Sequence, residues 1–121
     1  MTILIADDEP ALLRILEWNF SRAGFTVLVA SDGDQALAAI QANRPEAALL
    51  DAMMPGKTGP EVCRLVRADP KLAGMKLGLL SAKGRDEASD MAGESGADFY
   101  ETKPFSPDAL VERIQKLLEP S

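Results

Sequence analysis

Short apolar runs alternate with longer amphipathic stretches along the chain. The runs are Ile3 to Ala6, Thr26 to Ala30, Ala47 to Leu50 and Leu77 to Leu80, with a weaker one from Asp98 to Glu101. The first four are nearly continuous, not alternating. Strands of a parallel sheet read this way, because helices cover both faces and few positions meet water. The segments between them are long enough for helices and carry start signals. Pro10 follows Asp8-Glu9, Pro60 follows Thr58-Gly59, and Pro107 follows Ser106. Proline suits the first helical turn, where its missing N–H removes no helical bond. Gly24 fits a helix C-cap ahead of the second run, Pro45 closes the second helix, and Pro120 ends the last. The pattern predicts five strand–helix units with helices on both faces of one sheet. One domain is expected over residues 1–121, with no repeat, linker or low-complexity tract.

Composition narrows the class. The chain has 121 residues, 46% of them hydrophobic and 26% charged, which fits a globular domain and not a disordered one. Thirteen basic residues against 19 acidic ones give a formal charge of −6, the wrong sign for a nucleic-acid reader. The single cysteine, Cys63, has no partner for an internal disulfide and is expected in the third helix as a small core residue. No apolar run is long enough to span a membrane. The start, Met1-Thr2-Ile3-Leu4-Ile5, has no basic segment and too short an apolar run for a signal peptide, so a cytoplasmic location is expected. Histidine is absent, which removes His-based triads, His metal sites and phosphohistidine carriers from within this chain.

Candidate chemistry collects where the runs end. Ligands of open α/β sheets bind outside the carboxyl ends of the strands. Asp7 and Asp8 follow the first run, Asp51 the third and Ser81 the fourth, while Lys103 lies just past the fifth. Acids in loops are ordinarily solvated turn residues. Brought to one edge, however, two carboxylates about 4 Å apart repel by ~4 kcal/mol at an effective dielectric near 20. A hard divalent cation with oxygen ligands offsets that repulsion, and Mg²⁺ takes one or two carboxylates plus phosphate oxygens. Lys103 adds positive charge, and the Ser81 hydroxyl can bond a phosphoryl oxygen. Asp51 is placed to act as a carboxylate nucleophile of the aspartyl-phosphate kind.

At these residues the sequence resembles the receiver domain of two-component response regulators, and the resemblance covers essentially the whole chain. The matching segments are Ile3-Leu4-Ile5-Ala6-Asp7-Asp8-Glu9-Pro10, Ala30-Ser31-Asp32-Gly33 before Ala36-Leu37, and Leu50-Asp51-Ala52-Met53-Met54-Pro55-Gly56 with Gly59. Leu80-Ser81-Ala82 and Gly96-Ala97-Asp98 leading to Lys103-Pro104-Phe105 complete the set. The resemblance implies a flavodoxin-like (βα)5 doubly wound parallel sheet with strand order 2-1-3-4-5. It implies that Asp51 accepts a phosphoryl group from a histidine kinase or histidine phosphotransfer protein. Asp7, Asp8, Asp51 and the backbone carbonyl of Met53 would hold Mg²⁺, with Asp8 the more direct ligand of the acidic pair. Lys103 would pair with phosphate and carboxylate, and Lys103-Pro104 would be a cis peptide. Ser81 and Tyr100 would form a switch that alters the face of the fourth helix, fifth strand and fifth helix. The chain would be a signalling phosphoacceptor that catalyses only its own phosphotransfer and dephosphorylation, acting on an unknown downstream protein.

Several positions depart from the family pattern. Lys57-Thr58 stands where many members have a hydrophobic residue and an acid, and Lys57 is expected to point to water. Met53 and Lys83, two residues beyond Asp51 and Ser81, occupy positions that tune dephosphorylation; Met53 has no side-chain group to orient water, which implies a long-lived phosphoryl group. Phe99 replaces the acid that dimerising transcription-factor receivers use in an intersubunit salt bridge. Gly93 weakens the fourth helix. In the first helix, Leu13, Leu16 and Phe20 form one stripe, assigned to the core. Ala11, Ile15 and Trp18 form another, which either covers a neighbouring helix or meets the kinase.

Four rival readings remain. A phosphorylation-independent adaptor of receiver fold would not need the complete acidic set. An aspartate-based phosphatase needs a second Asp where Met53 stands. A flavodoxin needs a Ser/Thr/Gly-rich loop where Asp7-Asp8-Glu9-Pro10 stands. A DNA-binding regulator needs an appended domain.

Overall fold

The computed structural model describes residues 1–81 and 95–119. Its elements run β1 (Thr2–Ala6), α1 (Pro10–Arg22), β2 (Thr26–Ala30), α2 (Gly33–Asn43), β3 (Ala47–Asp51), α3 (Gly59–Ala68), β4 (Lys76–Ser81), β5 (Phe99–Thr102) and a C-terminal helix (Pro107–Leu118). The expectations placed on Lys83, Gly93, the fourth helix and Pro120 lie outside the described residues. All strand pairs are parallel and the order is β2-β1-β3-β4-β5. The flavodoxin-like expectation is met.

Local chemistry fixes the helix starts. Pro10 opens α1, and Pro60 and Pro107 sit in the first turns of α3 and the C-terminal helix. Asp32, Thr58 and Ser106 act as N-caps, each accepting a hydrogen bond from a backbone N–H three residues on. Such a bond satisfies a donor that the helix cannot use itself. The helix ends differ slightly from expectation. In α1 the capping residue is Ala23, with Gly24 beyond it, and α2 closes on Arg44 in the left-handed region (φ 47°) before Pro45.

Alternate strand residues enter opposite layers, which is why the runs of β1, β3 and β4 are continuous; β2, at the sheet edge, is buried only at Ala30 and leaves Val29 exposed, so its apolar run is not covered on both faces as expected. On one side, Leu4, Leu50, Leu77 and Leu79 meet Ile40 of α2 and Val62 of α3. On the other, Ile3, Ile5, Leu49 and Leu80 meet Leu16 and Phe20 of α1 and Ile114 of the C-terminal helix. Cys63 is buried in the first layer, where burial pushes its thiol up to about 12. Arg67 of α3 braces the far end of the sheet. Its guanidinium donates to the carbonyls of Gly96 (2.8 Å), Ala73 (2.8 Å) and Met75 (2.5 Å), and pairs with Asp98 (3.0 Å).

Candidate functional site

Register brings the polar residues together. Ala6 of β1 lies beside Leu50, so Asp7 emerges level with Asp51. Asp51 pairs with Leu80, and Ser81 pairs with Thr102, so Ser81 and Lys103 reach the same edge. Backbone bonds then hold the exits. The Asp7 N–H donates to Ala30 O (3.1 Å), Ala52 to Leu80 O (2.7 Å) and Lys103 to Ser81 O (2.7 Å). Asp51 and Ser81 are themselves the last residues of their strands, a little further than the apolar runs indicated. β5 is also shifted by one residue against expectation, starting at Phe99.

The carboxylates converge. One oxygen each of Asp7, Asp8 and Asp51 lies within 4.8 Å of the others. Asp7 is fully buried, Asp51 nearly so, and Asp8 faces solvent. Asp7 is oriented by the Glu9 N–H, which donates to its Oδ1 (2.9 Å). The Met53 N–H donates to Asp51 Oδ1 at 3.3 Å. Lys103 joins the set, its ammonium 3.1 Å from Asp7 Oδ2, 3.1 Å from Glu9 Oε1 and 3.5 Å from Asp51 Oδ2. Glu9 is the member that the sequence reading missed. Its place beside the acidic pair is its only signal, because its partner lies 94 residues away.

Electrostatics follow from this crowding. Burial raises the Asp51 carboxyl, Asp7 raises it further, and Lys103 and the Met53 N–H oppose them, leaving it at about 6. Burial pulls Lys103 down, but Asp51, Asp7 and Glu9 outweigh it and hold the ammonium above its ordinary value. One lysine does not balance three acids at this separation. The donor set is all oxygen, partly buried and open on the Asp8 side, which fits a hard divalent cation such as Mg²⁺.

The remaining candidates are placed as follows. Ser81 is buried at the strand edge. Tyr100 is 39% exposed and Met53 51% exposed. Lys103-Pro104 is a cis peptide, as expected. Ala11, Ile15 and Trp18 all lie exposed on α1; Ile15 and Trp18 are 49% and 59% exposed, so they do not cover a neighbouring helix among the described residues. Leu16 and Phe20 are buried and Leu13 packs beside them, as assigned. Lys57 does not simply point to water; its ammonium pairs with Asp34, which raises it above its ordinary value. Phe99 is buried beneath the Arg113 guanidinium, which lies 4.4 Å from the ring centroid and also pairs with Glu101.

Comparison with known proteins agrees with the fold. A sequence model of the response regulator receiver domain matches residues 3–115. The chain therefore belongs to the receiver-domain family of two-component response regulators. It is 44% identical to the DNA-binding response regulator MtrA of Mycolicibacterium smegmatis over 117 residues, 96% of this chain and 50% of that protein. The chain thus spans about half the length of the curated relatives it matches. A crystal structure of a putative response regulator from Chloroflexus aurantiacus superposes with a TM-score of 0.91 at 36% identity, covering 97% of this chain and 96% of that one. The receiver domain of the sensor histidine kinase PA1611 from Pseudomonas aeruginosa, solved with a magnesium ion in its active-site cleft, gives 0.87 at 25% identity, covering 96% and 95%. The described residues contain no helix long and apolar enough to cross a membrane.

Proposed function

We propose that Asp51 is the phosphoacceptor of this receiver and that its donor is a phosphohistidine on a kinase or phosphotransfer protein. The observation that carries the reading is the convergence of Asp7, Asp8 and Asp51 oxygens within 4.8 Å, with Lys103 paired to both Asp7 and Asp51. A carboxylate oxygen of Asp51 forms the new O–P bond as the donor's N–P bond breaks. The electron pair stays on the imidazole nitrogen, which takes up a proton. Asp7, Asp8, Asp51 and the Met53 carbonyl would hold Mg²⁺, which when bound neutralises charge on the phosphoryl oxygens. Asp51 lies at the end of β3, held by the Met53 N–H on one carboxylate oxygen. Lys103 supplies a fixed positive charge beside the acceptor, where catalysis is chiefly positioning and electrostatics.

Ser81 and Tyr100 are the proposed switch. The Ser81 hydroxyl turns to the phosphoryl group, and the half-exposed Tyr100 ring moves inward, a two-state element biased by local charge. Ala11, Ile15 and Trp18 form the surface offered to the donor. The downstream target is a protein bound by the altered face; this acidic domain is not proposed to touch nucleic acid or membrane, and it works in the cytoplasm. With Met53 unable to orient water, the aspartyl phosphate persists for longer than seconds.

The test is intact mass after incubation with Mg²⁺ and acetyl phosphate. Wild type should gain one phosphoryl group, lost without Mg²⁺ and in Asp51→Asn. No gain by the folded wild type overturns the reading.

A further inference from the structure

The loop after Asp51 is fastened at more points than its own turn requires. Its ends are held by backbone bonds, Ala52 N–H to Leu80 O (2.7 Å) and Gly59 N–H to Ala52 O (3.2 Å). Its middle is fastened to the first turn of α2. The Gly33 N–H donates to Pro55 O at 3.2 Å. A Cβ on Gly33 would overlap the Lys57 carbonyl, so only glycine allows the two backbones to approach this closely. Gly56 has a φ of +74° and lies against the Asp34 carboxylate. The Lys57 ammonium closes the set at 2.5 Å from Asp34 Oδ1. Two adjacent residues of α2 therefore meet Pro55, Gly56 and Lys57 in turn.

That arrangement sits close to the acidic cluster but contributes no atom to it. The side chains of Lys57 and Asp34 are 36% and 61% exposed, and ion pairs so exposed add little to global stability. Their effect is local. The segment they hold directly follows Met53 and Met54, in the loop that leads from Asp51 to α3. A loop already held in place has less freedom to lose when an ion arrives, so its ligands bind more tightly.

We propose that Gly33, Asp34 and Lys57 are positioning residues for the divalent cation. They clamp residues 55–57 onto α2 and so keep the Met53 backbone in register with Asp7, Asp8 and Asp51. The inference rests on the reading of the acidic cluster as the cation site. It assigns a role to Lys57 that its sequence position alone does not suggest, and it treats α2 as part of the site's support.

Calorimetric titration with MgCl₂, without phosphodonor, tests it. Asp34→Asn should weaken Mg²⁺ binding about threefold, the range open to one exposed ion pair. Gly33→Ala should weaken it by about tenfold, as outer-shell substitutions do. Exchanging the charges in Asp34→Lys with Lys57→Asp should recover most of what Asp34→Asn loses. Denaturation curves taken alongside should show that Asp34→Asn remains folded. Unchanged Mg²⁺ affinity in the folded Asp34→Asn protein overturns the inference and leaves the cation site standing. Failure of the exchanged pair to recover affinity overturns the role of the ion pair. No Mg²⁺ binding by wild type overturns the cation site, and the inference with it.

Discussion

Asp51 shows how placement changes a common residue. An exposed aspartate titrates near 3.9. Here burial and the charge of Asp7 raise it to about 6, against the pull of Lys103. Between those two values the folded state holds a proton that the unfolded chain has released. Stability of the metal-free protein should therefore fall as pH rises from about 4 through about 6, and stay low above that. The full difference corresponds to about 3 kcal/mol. Asp51→Asn should flatten this slope and raise metal-free stability near pH 7, where the unfavourable charged form is otherwise fully present. Urea unfolding in EDTA at about pH 5 and about pH 7.5 checks both statements; an unchanged slope in the variant would show that another group carries it. The same carboxylate is thus a liability to the empty fold and an asset to the proposed chemistry.

Within the elements, two placements carry predictions. On α1, Leu16 and Phe20 turn inward while Ile15 and Trp18 lie open to solvent. Replacing Ile15 or Trp18 with alanine should leave phosphorylation by acetyl phosphate unchanged and slow transfer from a phosphorylated kinase domain by about tenfold, as for interface anchors. Equal loss with both donors would mean that the substitutions act through the fold. In the sheet, Gly78 of β4 faces Phe99 of β5, and a Cβ there would run into the ring and come within 2.9 Å of Leu49 Cδ2. Gly78→Ala should therefore destabilise by about 1 to 3 kcal/mol through overpacking. Adding Phe99→Leu should recover part of that loss, because residues in contact couple; strict additivity in denaturation curves would refute the packing account. The aromatic at position 99, read from sequence as a missing intersubunit acid, is thus a core residue seated on a glycine and covered by Arg113.

For the whole molecule, the sheet sorts charge toward one edge. Three parallel strand ends deliver the acids and the lysine there, a fourth delivers Ser81, and two apolar layers hold those strands fixed. A ligand that binds only the folded state stabilises it by mass action, about 2.7 kcal/mol at one hundred times its Kd. Mg²⁺ should accordingly raise the thermal midpoint in a concentration-dependent way, and Asp8→Asn should lose most of that gain. An equal rise in Asp8→Asn would place the ion elsewhere.

Much of this was written in the chain order itself. Continuous apolar runs gave the parallel strands, and Thr58, Ser106 and the three prolines marked helix starts, because capping and proline geometry are local. The residue types at the strand ends were legible for the same reason. What the sequence could not settle was distance and surroundings. Positions 7, 51, 81 and 103 become neighbours only through parallel register, which closes long separations. Glu9 finding Lys103, Lys57 finding Asp34, and Arg67 bracing the turn before β4 all depend on contacts between elements that no local signal specifies. The exposure of Trp18 and the raised Asp51 were decided there too. A side chain's type and local conformation are set by its near neighbours in the chain, whereas burial and long-range charge are set by what folds against it.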